Sequence, residues 1–321
     1  MRPPDHSVEC KFLLVAISFR HMNLHHLSLF FGIAEAGNIS EASKRLYITQ
    51  PALSRQLKDF EERLGVVLFE RLPRGMRLTH AGEVLREYAA RLFAIEHAAE
   101  AAVREIANVG RGRLDLGASN TIGTYVLPAI LAAYRQRFPG IVTSLFVGNT
   151  EQVARGVADL RFSLGFIEGP LQLAELHSDT FMRDEIVPVV AATHELAHRK
   201  RVDLSSLEEL PLLMREEGSG TRELVAALLE ENGVKPKNVM HFGNTEALKQ
   251  AALHGGGIVW LPRLCMIREL AEGLLKPLHV SGMTIRREFR IVMFKGGHIS
   301  PPSAAFLDLL KHATALQTPQ S

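Results

Sequence analysis

The stretch from Asn38 to Arg71 constrains the fold of this chain most, because its spacing predicts two short helices joined by a tight turn. Ser40 is expected to cap the first helix by accepting a free backbone N–H, and Thr49 is expected to cap the second. Pro51 falls in the first turn of the second helix, where a missing N–H costs nothing. Apolar residues follow at three- and four-residue spacing and predict one buried stripe: Leu53, Leu57, Phe60 and Leu64. The pattern is that of a helix-turn-helix.

The face opposite this stripe carries polar side chains that suit DNA: Gln50, Ser54, Arg55 and Lys58. Glutamine can pair with adenine and arginine with guanine, and the N-terminal residues of such a helix lie nearest the bases in the major groove. Ser40, Thr49 and Pro51, at the helix starts, belong to the same predicted surface. An ordinary helical hairpin with a solvated polar face would show the same spacing, so spacing alone leaves both interpretations open.

Two short strands are predicted after the hairpin, on either side of Pro73-Arg74-Gly75. Such a wing would bring Arg74 and Arg77 to the DNA backbone or the minor groove. A solvated basic loop would have the same sequence. The net charge is only +2, so DNA binding must rest on where the basic residues stand and not on overall charge.

The stretch resembles the LysR-type transcriptional regulators. The residues that carry the resemblance run QPALSRQLK from Gln50 to Lys58 and continue with Leu64-Gly65, Leu68-Phe69, Arg71, Leu78-Thr79 and Ala81-Gly82. The resemblance extends from Met22 to about Ala313 and favours the wing. It implies a winged helix-turn-helix domain over residues 22–80, a linker and dimerisation helix over 81–110, and an effector-binding domain over 113–316. The implied partners are double-stranded DNA, a small effector and further copies of the chain, as a dimer or a tetramer.

Residues 1–21 differ from the rest of the chain. The apolar run from Phe12 to Phe19 is too short to span a bilayer, and no small-x-small cleavage pattern follows it, which disfavours a signal peptide. The family usually begins where Met22 stands, so these residues are expected to be an extension or the product of a mis-assigned start. Cys10 and Cys265 are too few for a disulfide framework or a zinc site, which fits a reducing cytoplasm.

A long helix is predicted from Thr79 to about Val109. Its apolar residues recur at helical spacing: Val84, Leu85, Tyr88, Leu92, Ile95, Ala99, Val103 and Ile106. This stripe could pack on its own domain or against the same helix of a second copy. Because the N-terminal domain is too small to cover about thirty residues of helix, we expect an antiparallel helix–helix dimer contact, as in the resembled family.

Beyond residue 112, strands and helices alternate, which predicts an α/β domain with a parallel sheet. One helix is expected from Thr121 to Phe138, and a strand pair or a single crossing strand from Phe181 to Ala192. The resemblance implies a two-lobed domain like that of periplasmic binding proteins. Lobe one would comprise about 113–183 and 295–316, and lobe two about 184–294.

Three strand-to-helix corners carry the candidate effector-binding residues: Ser119, Asn120 and Thr121; Ser219, Gly220, Thr221 and Arg222; Asn244 and Thr245. Polar side chains and free N–H groups at a helix start form an anion site, and ligands of open α/β sheets lie at the carboxyl ends of the strands. Each corner alone could be a mere helix cap. Three of them facing one cleft predict a small anionic effector. The string REEGSGTRE also resembles the subgroup of Calvin-cycle and sulfur-assimilation regulators, which tend to sense phosphorylated metabolites, nucleotides or sulfur oxyanions.

Catalytic and metal-binding patterns are weak. His194 and His198 lack the intervening glutamate of HExxH and a third ligand, and no GxSxG, P-loop or GxGxxG occurs. The sequence therefore predicts neither an enzyme nor a cofactor. A transporter's solute-binding protein, with the same two-lobed fold, is the main alternative, but it would require an export signal and no DNA-binding domain. A metabolic enzyme with a regulatory N-terminal domain is a second alternative.

Overall fold

The computed structural model describes residues 22–72, 75–107, 112–170, 173–199, 201–203, 207–280 and 284–315. Contacts divide the chain into two compact units, one ending at Phe93 and one beginning at Ala94. The expected N-terminal extension and Arg74 of the wing lie outside the described residues. Within the described part, no helix is both long enough and apolar enough to cross a membrane.

The first unit contains three helices and an antiparallel hairpin: α1 (Leu24–Ala36), α2 (Ile39–Leu46), α3 (Gln50–Leu64), β1 (Phe69–Leu72) and β2 (Gly75–Leu78). Phe30 of α1 lies at its centre, with ring centroids 6.5 Å from Phe60 and 5.3 Å from Phe69. The predicted stripe of α3 is confirmed, since Leu53, Leu57 and Phe60 are buried. The hairpin confirms the two strands expected for a wing.

The start of α2 differs from the prediction. Asn38, not Ser40, caps this helix, and its Oδ1 accepts the N–H of Glu41 at 2.7 Å. Gly37 has a positive φ of 69°, so the chain turns sharply after α1 and α2 can begin at once. Ser40 is therefore already inside the helix. Thr49 does occupy the N-cap position of α3, but its side chain makes no capping bond.

A long helix, α4 (His80–Ala107), follows the hairpin. Its apolar stripe faces solvent in the single chain, with Tyr88 62%, Ile95 52% and Val103 68% exposed. Leu85, near the start of the stripe, packs against the core of the first unit, so packing on its own domain holds for Leu85 and not for Tyr88. Large exposed apolar stripes of this kind mark interaction surfaces.

The second unit is an α/β domain. Its helices are α5 (Asn120–Tyr125), α6 (Leu127–Arg137), α7 (Thr150–Ala158), α8 (Gly220–Glu231), α9 (Thr245–Leu253), α10 (Ile267–Ala271) and α11 (Pro301–Ala315). Its strands are β3 (Gly112–Ser119), β4 (Ile141–Gly148), β5 (Leu164–Glu168), β6 (Leu176–Ala191), β7 (Leu212–Arg215), β8 (Val239–Phe242), β9 (Ile258–Pro262), β10 (Leu275–Pro277) and β11 (Ile285–Phe294).

These strands form one sheet of nine, in the order β4-β3-β5-β11-β6-β9-β7-β8, with β10 paired to β6. The expected parallel pairing holds within β3, β4 and β5 and within β7, β8 and β9. It is wrong for the middle of the sheet, where β6 and β11 pair antiparallel as the chain crosses between the two lobes. Strand β6 is one crossing strand of 16 residues, which settles the alternative left open by the sequence.

The helix predicted from Thr121 to Phe138 is two helices. Val126 separates α5 from α6, and Pro128 stands in the first turn of α6. Proline has no N–H to donate to the preceding turn, so an unbroken helix is disfavoured at this point. As a result α5 is short, and its first residues stay close to the end of β3.

Candidate functional site

The solvent face of α3 presents most of the predicted DNA-binding residues. Gln50, Arg55 and Lys58 are exposed, while Ser54 is half-buried. Arg55 makes no ion pair with any described residue, whereas Lys58 lies 3.5 Å from Glu62, one turn along α3. The guanidinium of Arg55 is therefore available to a partner.

Ser40 does not cap α2 as predicted, and its side chain makes a different contact. Its Oγ accepts a hydrogen bond of 3.1 Å from Nε2 of Gln50. This bond joins the start of α2 to the start of α3 and orients the Gln50 amide. Thr49 and Pro51 are exposed beside it, where the first turn of α3 offers free N–H groups. In the hairpin, Arg77 is paired with Glu70 on the neighbouring strand at 2.5 Å, so its charge is already partly balanced.

A cavity of 460 Å³ lies where β3, β4 and β8 end and α5, α7 and α9 begin. We call it the effector cavity. Three asparagines from these corners line it: Asn120, Asn149 and Asn244. Asn149 and Asn244 cap α7 and α9, accepting N–H groups of the first turn at 2.9 and 2.7 Å. Asn120 donates to the carbonyl of Gly148 at 2.7 Å, which ties the first two corners together.

Helix starts give this cavity its electrostatic character. Free N–H groups and the aligned peptide dipoles of α7 and α9 create partial positive charge at their N-termini. The corner at Asn149 was missed by the sequence interpretation, although Asn149 and Gln152 form a capping box whose spacing is visible in the sequence. Thr245 also lines the cavity.

Glu246 is the one acidic residue among those that line the cavity, and it shares the ammonium of Lys249 with Glu269, which lies 2.7 Å from that ammonium. Tyr125 of the first lobe donates to its carboxylate at 2.6 Å, and the ammonium of Lys249 lies at 3.1 Å. Burial alone would raise the pKa of Glu246, but hydrogen bonds from Tyr125, Gln250 and Lys249 lower it below its usual value. Burial and the bond to Glu246 raise the pKa of Tyr125, which keeps it a donor.

The structure separates the second predicted corner from this cavity. Ser219, Gly220 and Thr221 are buried. A Cβ on Gly220 would lie 1.9 Å from the carbonyl oxygen of Glu168, so this loop packs directly against the end of β5. Arg222 runs along its own lobe, with Nη1 3.0 Å from Nδ1 of His241. The prediction that all three corners share one cleft therefore needs correction, because tertiary packing closes one of them.

A carboxylate of the protein itself occupies the space between the first and second corners. The hydroxyls of Thr121 and Thr221 donate to Oε1 of Glu168 at 3.2 and 3.5 Å. Arg287 donates to both hydroxyls, at 3.3 and 2.9 Å, and makes two bonds of 2.8 and 3.0 Å to Asp184. All five residues are buried. Ser119, beside them, has a buried Oγ without a partner among the described residues.

The sequence interpretation did not find Glu168, Asp184 or Arg287. The available signal was weak: one glutamate at the end of an otherwise apolar strand, and charged residues on two strands expected to cross. Burial of Asp184 raises the pKa of its carboxyl, and the nearby charge of Glu168 adds to the rise, although Arg287 opposes it.

A larger cavity of 1140 Å³ lies along β6 and β11 and is lined by several arginines. Its carboxylates stand between these arginines. Glu185 lies 3.0 Å from Arg263 and 3.6 Å from Arg286, and Glu288 lies 3.1 Å from Arg290. Because these charges already have partners, the effector cavity is the better candidate for a small anion.

A helix-turn-helix with an exposed polar and basic face in one unit, and a two-lobed α/β domain with a polar cavity in the other, are the parts of a ligand-responsive DNA-binding regulator. Residues 24–83 match the family profile described as "Bacterial regulatory helix-turn-helix protein, lysR family", and residues 107–315 match the "LysR substrate binding domain". The chain belongs to the LysR family and is a LysR-type transcriptional regulator. This finding favours a regulator over a solute-binding protein of a transporter.

The most similar relatives include the uncharacterized transcriptional regulator YeiE of Escherichia coli K12, 36% identical over 90% of this chain and 97% of that protein. The transcriptional activator CmpR of Synechocystis is 31% identical over 91% and 95%, and the regulator CysL of Bacillus subtilis is 30% identical over 83% and 89%. The RuBisCO operon transcriptional regulator of Acidithiobacillus ferrooxidans is 31% identical over 93% of this chain and 96% of that protein, and its name agrees with the Calvin-cycle part of the subgroup that the REEGSGTRE string indicates.

Two solved structures are close in fold. The regulatory domain of CcmR from Synechocystis PCC6803, in complex with 2-PG, is 30% identical, with a TM-score of 0.59 over 64% of this chain and 98% of that one. Full-length CbnR in complex with its target DNA is 22% identical, with a TM-score of 0.64 over 91% and 100%. The second likeness bears on the fold alone.

Proposed function

We propose that a small anion bound in the effector cavity controls this regulator. The observation that carries the proposal is the convergence of Asn120, Asn149 and Asn244 at helix starts around one cavity. Such starts bind anions through free N–H groups and the helix dipole. The complex of the CcmR regulatory domain with 2-PG supports the same class of ligand.

Asn244 is the most useful residue for testing this proposal. Its Oδ1 accepts the N–H of Ala247, whereas its side-chain nitrogen makes no hydrogen bond with the described residues. That nitrogen is free to donate to a ligand. Aspartate would keep the cap, because its carboxylate accepts the same N–H, but it would remove the donor and add a negative charge.

Asn244→Asp is therefore expected to weaken anion binding about tenfold or more, because each 1.4 kcal/mol of lost interaction is tenfold in affinity. Thermal stability should be kept. The measurement is a thermal-shift screen of the full chain with sulfate, sulfite, phosphate, sugar phosphates, nucleotides and small carboxylates, followed by titration of the anion that stabilises most. A bound ligand raises the melting temperature by mass action.

Asn23→Asp is the matched control, since Asn23 caps α1 in the other unit and also accepts through its side chain. It should leave anion binding unchanged. Equal anion affinity of Asn244→Asp and the unmodified chain would show that the anion does not bind in the effector cavity. If none of the anions shifts the melting temperature, the anionic effector is wrong while the DNA-binding assignment is unaffected.

We also propose that α3 enters the major groove with its N-terminal end towards the bases. Gln50, held by Ser40, and Arg55 are suited to base edges, while Ser54 and Lys58 are suited to the backbone or bases. Thr49 and Pro51 stand at the helix start, next to the phosphates. Arg77, and Arg74 by the sequence prediction, complete the basic surface. Because DNA is the partner, we propose that the protein acts in the cytoplasm.

The exposed stripe of α4 is proposed to pair two copies of the chain, as the first step towards a dimer or a tetramer. Burial of Tyr88, Ile95 and Val103 against a second helix would remove apolar surface from water.

Ile95→Asp should therefore weaken self-association by at least about tenfold, because a charge would be buried in an apolar contact. His97→Asp is its control, since helical spacing places His97 on the opposite face of α4, where it is exposed. Analytical ultracentrifugation over a concentration series measures both variants. Equal loss in the two variants would show that α4 does not use this stripe.

A further inference from the structure

Glu168, Asp184 and Arg287 form a buried cluster with one charge too many. Two carboxylates face one guanidinium, and the side chains of Arg287 and Glu168 are only 1% and 2% exposed. Asp184 is the main partner of Arg287, through two hydrogen bonds. Glu168 is the surplus carboxylate, because its Oε2 lies 3.4 Å from Arg287 and has no partner of hydrogen-bond geometry among the described residues.

This surplus charge should cost stability. Burying a carboxylate is unfavourable unless its lone pairs are satisfied, and replacement of buried charges by neutral groups is often neutral or stabilising. A glutamine at position 168 could still accept the hydroxyls of Thr121 and Thr221. It would also leave Asp184 and Arg287 as a balanced pair. The fold alone therefore gives no reason for a carboxylate here.

The position of Glu168 suggests what its charge does. Thr121 belongs to α5, which follows β3 in the first lobe, and Thr221 belongs to α8, which follows β7 in the second. The carboxylate accepts from both threonines. It lies near the start of α8, a helix of 12 residues whose N-terminus attracts negative charge. Glu168 is thus an internal anion that joins the two lobes.

One of these helix starts, that of α5, also lines the effector cavity, as does the start of α7. Asn120 lines the cavity and Thr121 bonds Glu168, while Asn149 lines the cavity and the Thr150 hydroxyl donates to the carbonyl of Glu168 at 2.8 Å. The Thr150 hydroxyl in turn accepts the N–H of Gly220 at 3.3 Å. Neighbouring residues therefore connect the cluster to two of the three cavity asparagines.

We infer that Glu168 is a positioning residue for effector binding. Its carboxylate draws the starts of α5 and α8 together and so holds Asn120, the neighbour of Thr121, in place opposite Asn244. Glu168 does not line the cavity and acts through these neighbours. The inference rests on the proposed effector cavity. It states that the buried carboxylate of Glu168 keeps the two lobes together, as the cavity requires.

The test is Glu168→Gln in the full chain, with two readouts. The first needs no ligand: amide hydrogen exchange should accelerate in residues 119–125 and also in 220–226, because a neutral amide accepts the two threonine hydroxyls less strongly than a charged carboxylate does. Exchange in 301–310 of α11 should not change. The melting temperature should stay the same or rise, since the surplus buried charge is gone.

The second readout is the affinity for sulfate, phosphate or whichever screened anion stabilises the unmodified chain most. It should fall about tenfold, a coupling of ordinary size between linked sites. The direction of the change in anion affinity distinguishes a positioning role from a purely electrostatic one. Removal of a nearby negative charge would by itself strengthen anion binding, so only a positioning role predicts a loss. Glu272→Gln is the control, because Glu272 is paired with Arg268 at 2.7 Å in α10, away from both sites.

Thr221→Val is a second variant that keeps the shape and removes the hydroxyl between Glu168 and Arg287. It should change exchange and affinity in the same direction. Unchanged exchange, acceleration confined to one of the two segments, or anion affinity that is equal or higher in Glu168→Gln would each overturn the inference. If no anion binds even the unmodified chain, the proposed effector class fails, whereas the exchange readout still decides whether Glu168 links the lobes.

Discussion

Replacement of Arg287 by methionine is expected to lower the free energy of unfolding of the effector domain by about 3–5 kcal/mol, the usual result of removing one partner from a buried ion pair. Methionine has nearly the length of the arginine stem, so the loss is mainly electrostatic. Asp184 and Glu168 would remain buried without a cation, and the hydroxyls of Thr121 and Thr221 would lose a donor. Urea unfolding of the full chain, followed through the effector-domain transition, measures the loss.

Arg286→Met is the matched control. Arg286 precedes Arg287 on β11, yet its side chain is 87% exposed, compared with 1% for Arg287. A substitution at such an exposed site should change the free energy of unfolding by no more than about 0.5 kcal/mol. Similar losses in the two variants would mean that the buried cluster does not stabilise the domain through charge.

The deficit of Arg287→Met should also depend on pH. Burial already raises the pKa of Asp184 in the folded chain, and removal of Arg287, which opposes that rise, would raise it further. A carboxyl with a higher pKa in the folded than in the unfolded chain binds more protons when folded, so stability increases as the pH falls through the folded pKa. The deficit is therefore expected to be full at about pH 8 and smaller at about pH 5. A pH-independent deficit would contradict this account.

Arg55→Ala is expected to abolish sequence-specific DNA binding without unfolding the protein. A guanidinium bound to guanine discriminates by about 1–3 kcal/mol per contact, and each subunit of a dimer would lose one. Binding to DNA sites selected in vitro with the unmodified chain should fall towards the affinity for random-sequence duplex. Both affinities should decrease steeply with salt, because phosphate neutralisation supplies much of the binding.

Arg63→Ala separates position from charge. Arg63 is exposed at the C-terminal end of the same helix and carries the same charge, but it lies about two turns beyond Arg55, away from the end proposed to meet the bases. Arg63→Ala should weaken binding to the selected sites and binding to random-sequence duplex to the same extent. Unchanged affinity of Arg55→Ala for the selected sites would show that Arg55 does not contact the DNA. Equal losses of affinity in the two variants would show that Arg55 contributes only its positive charge and not a base contact.

The helix starts show how much of the structure the local spacing of residues could predict. The buried face of α3 was predictable, because apolar periodicity is a local property of the chain. The cap of α2 was not, since Asn38 and Ser40 are both good caps and the left-handed Gly37 decides between them. The break before α6 could have been predicted from Pro128. The antiparallel centre of the sheet depends on the return of the chain through β11, which no local pattern shows.

The sequence by itself determined the helix-turn-helix, the exposed position of Arg55 on it, the apolar stripe of α4 and the separate strand-to-helix corners at Asn120 and Asn244. Each of these depends on residues within a few turns of one another. Only the tertiary structure decided that the corner at Thr221 closes on Glu168, and that Arg287 and Asp184 complete its surroundings. Arg287 and Asp184 lie 103 residues apart in the chain and meet because β6 and β11 pair across the lobes. Burial then makes their charges matter, because a low-dielectric interior strengthens interactions that water would screen.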